Sequence, residues 1–455
     1  MFPTTGPFAI PNIRLFIAFR IFFNARFYYP VFTILFLDYG LTIEQFALLN
    51  SVWAITIVCA EVPSGALADV IGRKRLIITT SVLMLFEIGL IAFVPITNIS
   101  LVFWAFLLNR ILSGLAEALA SGADEAIAFD SLKEVGLEEK WPHVLSVQMR
   151  LKSIVTIITA TTGALVYDPD IINKLLNLTA SGIIVEQQQS MRYPIYLTLV
   201  LAALATWTSL LFTENPKEQP AVKSNMFHKI VEALRLTLQA GTWIIKTPFA
   251  LAIIAFGMFH DHILRMIITM TSQYFRLIQL PEASFGLISA TLSLLGLTIP
   301  KICETLVERN SAAKNLWILF LITVLGLFGL TGFFPYIGLL PMACVYTGLM
   351  MISFFTSHYL NQITESSQRA TVLSFKGMAF NLAYGIIGVL FALLIQQLRD
   401  KNMATHPDWS QQLTEDSSFI AAIGWFPWYT IILFVIILVY FHNRLKSSPE
   451  YRQFG

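Results

Sequence analysis

Twelve stretches of this chain are long and apolar enough to cross a lipid bilayer, and a sequence built that way has few folds open to it. A spanning helix takes about 20 mostly apolar residues. The stretches run roughly over 12–37, 46–68, 76–95, 101–122, 144–166, 194–213, 248–272, 284–305, 315–334, 338–360, 371–396 and 425–443. Hydrophobic residues make up 56% of the 455 and charged residues 13%, where a soluble domain carries about 25% charged. The fold class that follows is an all-α membrane protein with 12 transmembrane helices. A net charge of +2 gives no footing to nucleic acid. Cys59, Cys303 and Cys344 fall in three different apolar stretches, so neither a disulfide framework nor a metal spacing arises. The first residues lack the charged, apolar and small-residue order of a cleaved signal peptide, and none is expected. No soluble catalytic domain accompanies the spans, so no enzyme is expected, and no cofactor.

Between the second and third stretches lies Ser64-Gly-Ala-Leu-Ala-Asp69-Val-Ile-Gly72-Arg73-Lys74-Arg75. Small residues, an acid, a glycine and three cations in a row cannot sit in hydrocarbon, so this is a tight loop between two spans. Its cations assign it to the cytoplasmic side. With both termini on that side, the Lys and Arg of the inner loops far outnumber those of the outer loops, as the positive-inside rule requires. Two sets of six spans then flank a polar linker at 214–247, giving an N-terminal bundle over 1–213 and a C-terminal bundle over 248–455. Phe227, Ile230, Val231, Leu234 and Leu238 share one helical face of the linker, with Lys229, Glu232 and Arg235 opposite, the pattern of a helix lying on the membrane surface. Val144-Leu145-Ser146 opens the fifth span and Val372-Leu373-Ser374 opens the eleventh, a short echo between the halves. The outer loops at 167–193 and 397–424 are long and polar, and suit folded lids or solvated loops equally.

The loop at 64–75 resembles the signature of the major facilitator superfamily, whose fold is two pseudo-symmetric six-helix bundles. Gly65, Asp69, Gly72, Arg73, Arg110 and Asp130 match that pattern residue by residue, with Gly114 one turn beyond Arg110. The resemblance implies a gate. Asp69 would face the start of the eleventh helix, where the positive end of a helix favours an acid, and Arg73 would reach Asp130 at the end of the fourth. Glu61-Val-Pro63-Ser-Gly65 and the stretch from Ser121 through Asp130 look like a bacterial subgroup of the family. The fifth span offers Thr161-Thr-Gly163-Ala164 without the proline of the drug-antiporter motif, which argues against drug efflux.

Ionisable residues inside spans need a cavity or a partner, because each costs roughly 2.5–3.5 kcal/mol at the bilayer centre. Arg20, Asn24 and Arg26 stand on the first span, and Pro30 is expected to kink it. Glu61 is on the second, Arg110 and Glu117 on the fourth, and His260, Asp261 and Arg265 on the seventh. The family lines its cavity with the first, fourth, seventh and tenth helices, which adds Tyr346 and His358. Substrate contacts are therefore expected from Arg20, Asn24, Arg26, Arg265, Tyr346 and His358, and proton coupling from Glu117, His260, Asp261 and Glu61. Pairing within the chain competes with these roles. Arg265 can pair with Asp261, Arg110 with Glu117 and Lys301 with Glu304, and Glu87 on the third span reads as structural. Arg26 has no acid near it in sequence. Neighbouring helical residues diverge by about 100°, so His260 and His262 do not share an ion and no metal is expected.

Cations outnumber acids among these residues, and a cationic cavity selects anions. The expectation is a monomeric secondary transporter of the cell inner membrane, both termini cytoplasmic, working by alternating access. It would couple protons to a small organic anion such as a carboxylate-bearing nutrient, metabolite or siderophore. Efflux of amphipathic compounds, and a non-transporting sensor on the same fold, are the alternatives.

Overall fold

Hydrocarbon offers backbone groups no hydrogen bonds, so a chain this apolar must bond its own backbone within each span. The computed structural model follows that rule. It describes residues 6–120, 123–178, 183–213, 226–364 and 369–446, with the side chains at 65, 66, 68–71, 226, 227, 229, 233, 236, 240, 369–371, 373, 443, 445 and 446 left out. All regular structure among the described residues is helical. In chain order the helices are α1 (Pro11–Asn24), α2 (Phe32–Asp38), α3 (Ile43–Ile71), α4 (Arg73–Phe93), α5 (Ile99–Ala120), α6 (Ala123–Lys133), α7 (Trp141–Tyr167), α8 (Pro169–Leu178), α9 (Gln187–Ser190) and α10 (Tyr193–Leu211). There follow α11 (Met226–Lys246), α12 (Pro248–Thr269), α13 (Thr271–Leu277), α14 (Phe285–Ser293), α15 (Leu295–Arg309), α16 (Ala312–Leu330), α17 (Leu339–Ile363), α18 (Arg369–Thr405), α19 (Gln411–Ile423) and α20 (Phe426–Lys446). Eleven helical stretches among the described residues have the length and apolarity to cross a membrane. The broken pair α1 and α2 supplies the twelfth span expected from sequence.

That first span breaks earlier than Pro30 alone requires. α1 ends at Asn24, and a short turn over Tyr29–Val31 leads into α2. Proline lacks an N–H and disfavours a helical residue before it, and side chains satisfy the freed backbone groups. Arg26 donates to the Phe23 carbonyl at 2.6 Å, and the Phe27 N–H donates to Thr198 Oγ1 at 3.1 Å. Gly72 occupies the turn between α3 and α4 with a φ of +90°, a conformation that favours glycine. Gly65 and Asp69 lie on the last turns of α3, their side chains outside the described ones, and linker segment 214–225 lies outside the described residues.

By contacts the chain divides into two units, one comprising residues 1–41, 56–234 and 282–290 and the other 42–55, 235–281 and 291–455. In the first, Phe36 and Tyr39 pack edge-on against Phe106 with ring centroids 4.6 and 5.1 Å away. Arg192 donates to the carbonyls of Ala92 and Val94 at 2.9 and 2.7 Å, supplying partners that the end of α4 lacks. The outer loop 167–193 is folded, with α8 tied back by two hydrogen bonds between the Asn173 side chain and the Val185 backbone. In the second unit, α12 is buried along most of its surface and packs with α17, α18 and α20. The outer loop 397–424 is helical too. α18 runs on to Thr405, and Ser410 caps α19 by accepting from the Leu413 N–H. In α11, Val231, Leu234 and Leu238 are exposed, consistent with an apolar face laid on a membrane surface.

Small residues set the closest crossings. A Cβ on Gly163 of α7 would fall 1.7 Å from the Phe27 carbonyl oxygen, beside the break in the first span. Around Gly89 of α4 nothing lies within 4 Å of such a carbon. Gly163→Ala should therefore destabilise the protein by about 1–3 kcal/mol, because backbone must shift. Gly89→Ala should leave stability unchanged or raise it by roughly 0.4–1 kcal/mol. Thermal unfolding of the detergent-solubilised variants checks this, and equal melting temperatures would contradict the packing argument.

Candidate functional site

In the first unit the ionisable residues of the spans form two groups. The deeper one centres on Glu87 of α4, which is 0% exposed, and on Arg26, 8% exposed. Their charged atoms stand 3.6 Å apart. Asn109 of α5 donates to the Glu87 carboxylate and backbone carbonyl, and its own amide oxygen accepts two bonds from Arg110 at 2.9 and 2.8 Å. Arg110 lies over the rings of Phe32 and Phe36, at 5.3 and 5.6 Å. Sequence gave Arg26 no counter-ion because Glu87 is remote in the chain. The fold brings the two together, so Arg26 is not an unpaired cation. Arg110 turns to Asn109 rather than to Glu117, a partner that adjacency in the helix allows.

The second group lies at α1 and α6. Arg20 binds both carboxylate oxygens of Asp124 and pairs with Glu125 at 2.8 Å. Asn24 donates to the Arg20 carbonyl and accepts from Lys152. Glu117 of α5 is exposed, with Arg20, Arg26 and Lys152 as electrostatic neighbours. At the end of α6, Asp130 pairs with Arg73 at the start of α4. Glu61 of α3 has one carboxylate oxygen buried without a hydrogen-bond partner.

The second unit holds its own polar cluster, on α12 and α18. Arg265 pairs with Asp261 one turn earlier at 2.6 Å and donates to Asn381 Oδ1 at 2.8 Å. Its guanidinium lies 5.3 Å from the ring centre of Tyr384, whose hydroxyl bonds Thr269 at 3.0 Å. Lys376 sits over Phe380 and is an electrostatic neighbour of Asp261. His260 and His262 diverge. Each ring Nδ1 meets the carbonyl four residues back, and His262 Nε2 bonds the Tyr429 hydroxyl at 3.0 Å, while His260 Nε2 is buried without a partner. Tyr346 bonds Thr271, and His358 stacks on Phe354.

Sequence reasoning names no role for Asp124, Asn109, Asn381, Tyr384 or Lys376, and reads Glu87 as structural. Polar and charged residues one or two turns apart within an apolar stretch were the available signal, as in Lys376, Phe380, Asn381 and Tyr384. Arg399, assigned to an outer loop from sequence, lies on α18 and pairs with Glu44 and Glu415.

Removing one member of a buried ion pair leaves a charge without compensation, at a cost of about 3–5 kcal/mol, while apolar replacement of both is close to neutral. Arg26→Met and Glu87→Leu should each lower the melting temperature clearly, and the double variant should recover most of the loss. Losses that simply add would show that the two side chains do not depend on one another.

The sequence profile of the Major Facilitator Superfamily matches residues 14–389. No curated protein sequence matches the chain. Among solved structures, a bacterial homologue of the human lysosomal transporter Spinster superposes with a TM-score of 0.67 at 10% identity, covering 99% of both chains. The nucleoside transporter NupG does so with 0.65 at 13% identity, over 96% of this chain and 99% of its own. A D-xylose–proton symporter gives 0.62 at 13% identity, over 92% and 96%. At such identities the likeness is one of fold. Profile and fold agree with the helical architecture, and the chain belongs to the major facilitator superfamily, as a multi-pass membrane transporter rather than an enzyme.

Proposed function

We propose that this transporter moves a small organic anion together with protons, by alternating access of two six-helix bundles, 1–213 and 248–455, joined by the linker 214–247. The observation that carries the reading is the α12–α18 cluster. Arg265 and Lys376 put two cations beside the single carboxylate of Asp261, and an excess cation in a low-dielectric span favours an anionic ligand. Arginine adds a planar fork that suits a carboxylate. Tyr346 and His358 would add contacts from α17, and Arg20 and Asn24 from α1, with Arg26 acting through its pair with Glu87.

The Asp261–Arg265 pair also suggests how coupling works. With Asp261 ionised, its Oδ2 occupies the Arg265 guanidinium. A proton taken up on that carboxylate removes the competing charge and frees the fork for the substrate carboxylate. Loss of the proton restores the pair and expels the anion, so proton and anion travel together. Glu117, Glu61 and His260 are further coupling candidates, Glu117 because it is exposed among cations. The pairing of Arg73 with Asp130 supports a gate at 65–73, in which Gly65, Asp69, Gly72 and Arg110 would share. The protein is proposed to act as a monomer in the inner membrane with both termini cytoplasmic.

Three outcomes are expected in proteoliposomes. Asp261→Asn should abolish accumulation driven by a pH gradient and keep substrate exchange; accumulation that persists would move coupling elsewhere. Lys376→Gln should raise the KM for the transported anion about tenfold or more, the scale of one charged contact, and an unchanged KM for every anion tested would remove the anionic reading. Arg73→Ala should impair transport and raise labelling of cysteines placed in the cavity from the cytoplasmic side, whereas wild-type labelling would dissolve the gate.

A further inference from the structure

Between the end of α7 and the start of α10 the chain leaves the spans and returns to them, over residues 168–192. Polar side chains mark the level at which it does so. Asp38, the last residue of α2, accepts from the Tyr167 hydroxyl at the end of α7 and from Gln187 Nε2 at 3.0 Å. The ends of two spans and the entry to a third are thus tied at one height, where apolar helix gives way to charge, which is the bilayer boundary. Asp168 Oδ1 accepts from the N–H groups of Asp170 and Ile171 at 2.9 and 3.4 Å, so α8 starts at that height. The two bonds between Asn173 and Val185 keep the middle of α8 there, because Val185 stands two residues before Gln187. Pinned at its start and at its middle, the helix runs along the boundary and not away from it.

Three sides of α8 differ. Ile172, Asn173 and Leu176 are part-buried, and this side rests on protein. Asp170, Lys174 and Asn177 form an exposed polar side. Ile171, Leu175 and Leu178 recur at the spacing of one apolar helical stripe. The returning chain adds Ile183 and Ile184 on either hand of the same tie, while Val185 is buried. Leu175, Leu178, Ile183 and Ile184 are 65, 83, 60 and 79% exposed. A helix with protein behind it, a polar flank and a bare apolar flank, held at the height of the span ends, has the division expected of one lying in the interface.

We propose that α8 and the segment at 183–184 are embedded in the lipid leaflet at this end of the spans. Leu175, Leu178, Ile183 and Ile184 lie among the acyl chains, and Asp170, Lys174 and Asn177 among the headgroups. The apolar surface is continuous with the spans on both sides of it. Four aliphatic side chains fall short of the roughly 800 Å² per partner that a stable protein interface takes. Residues 168–192 carry Asp168, Asp170 and Glu186 against Lys174 and Arg192. With no basic excess, apolar contact and not charge drives the insertion, which is therefore indifferent to the charge of the lipid.

The test is nitroxide scanning of the full-length protein in vesicles of dioleoyl phosphatidylcholine, with or without dioleoyl phosphatidylglycerol. Cys59→Ala and Cys344→Ala remove the accessible thiols, and the fully buried Cys303 stays. Single labels are placed through Leu175→Cys, Leu178→Cys, Ile184→Cys, Lys174→Cys and Asn177→Cys, all at exposed positions. Labels at 175, 178 and 184 should collide with oxygen in preference to a water-soluble nickel chelate, at a depth of about 5–10 Å. Labels at 174 and 177 should show the reverse, and neither added phosphatidylglycerol nor high salt should change the pattern. Leu175→Asn with Leu178→Asn should raise nickel access at 184 and leave the melting temperature in detergent unaltered. Nickel access at 175, 178 and 184 equal to that at 174 and 177 means a solvated loop and overturns the proposal. Exclusion of both reagents means a protein cover, as a lid or a second copy would give, and also overturns it. So does insertion that appears only with phosphatidylglycerol, or nickel access at 184 that the double variant leaves unchanged.

Discussion

A charge placed in hydrocarbon must meet an opposite charge or a ring of donors and acceptors, and the first unit is organised by that demand. Arg26 stands where the first span loses its helical hydrogen bonds. Its guanidinium serves two needs there, the freed carbonyl of Phe23 and the carboxylate of Glu87. Glu87 in turn fixes Asn109, and Asn109 fixes Arg110. Three spans are thereby joined by one continuous buried network. The aromatic rings of Phe23, Phe32 and Phe36 cover the cations, which limits the solvent that can reach them.

The same break sets the packing around it. α7 approaches the non-helical segment closely because residue 163 has no side chain, and Thr198 of α10 supplies an acceptor for the Phe27 N–H that the helix break frees. A helix interrupted at mid-membrane is tolerated only where neighbours complete its hydrogen bonding. The interruption and the charged network meet at Arg26, which bonds the freed Phe23 carbonyl and pairs with the Glu87 carboxylate.

The second unit differs in kind. Its cluster is formed by two helices, with Arg265 and Lys376 beside the carboxylate of Asp261. In the first unit Arg26 and Arg110 are buried and bonded to Phe23, Glu87 and Asn109, whereas Arg265 keeps 28% of its side chain exposed. This contrast underlies the proposal of a binding role for Arg265 and Lys376.

The sequence alone determined that the chain crosses a membrane many times, because the length and apolarity of a span are local properties. It also determined the family, since the turn at Gly72 and the cations beside it are contiguous. The pairing of Asp261 with Arg265 was legible too, as both lie one turn apart on one helix. Only the tertiary structure decided which charges meet across helices. Arg26 and Glu87, or Arg20 and Asp124, are separated by dozens of residues, and helical periodicity fixes the face a side chain occupies within its helix but not which helix that face opposes. The same holds for Asn381 and Tyr384, ordinary residues in an apolar stretch until α18 is set beside α12.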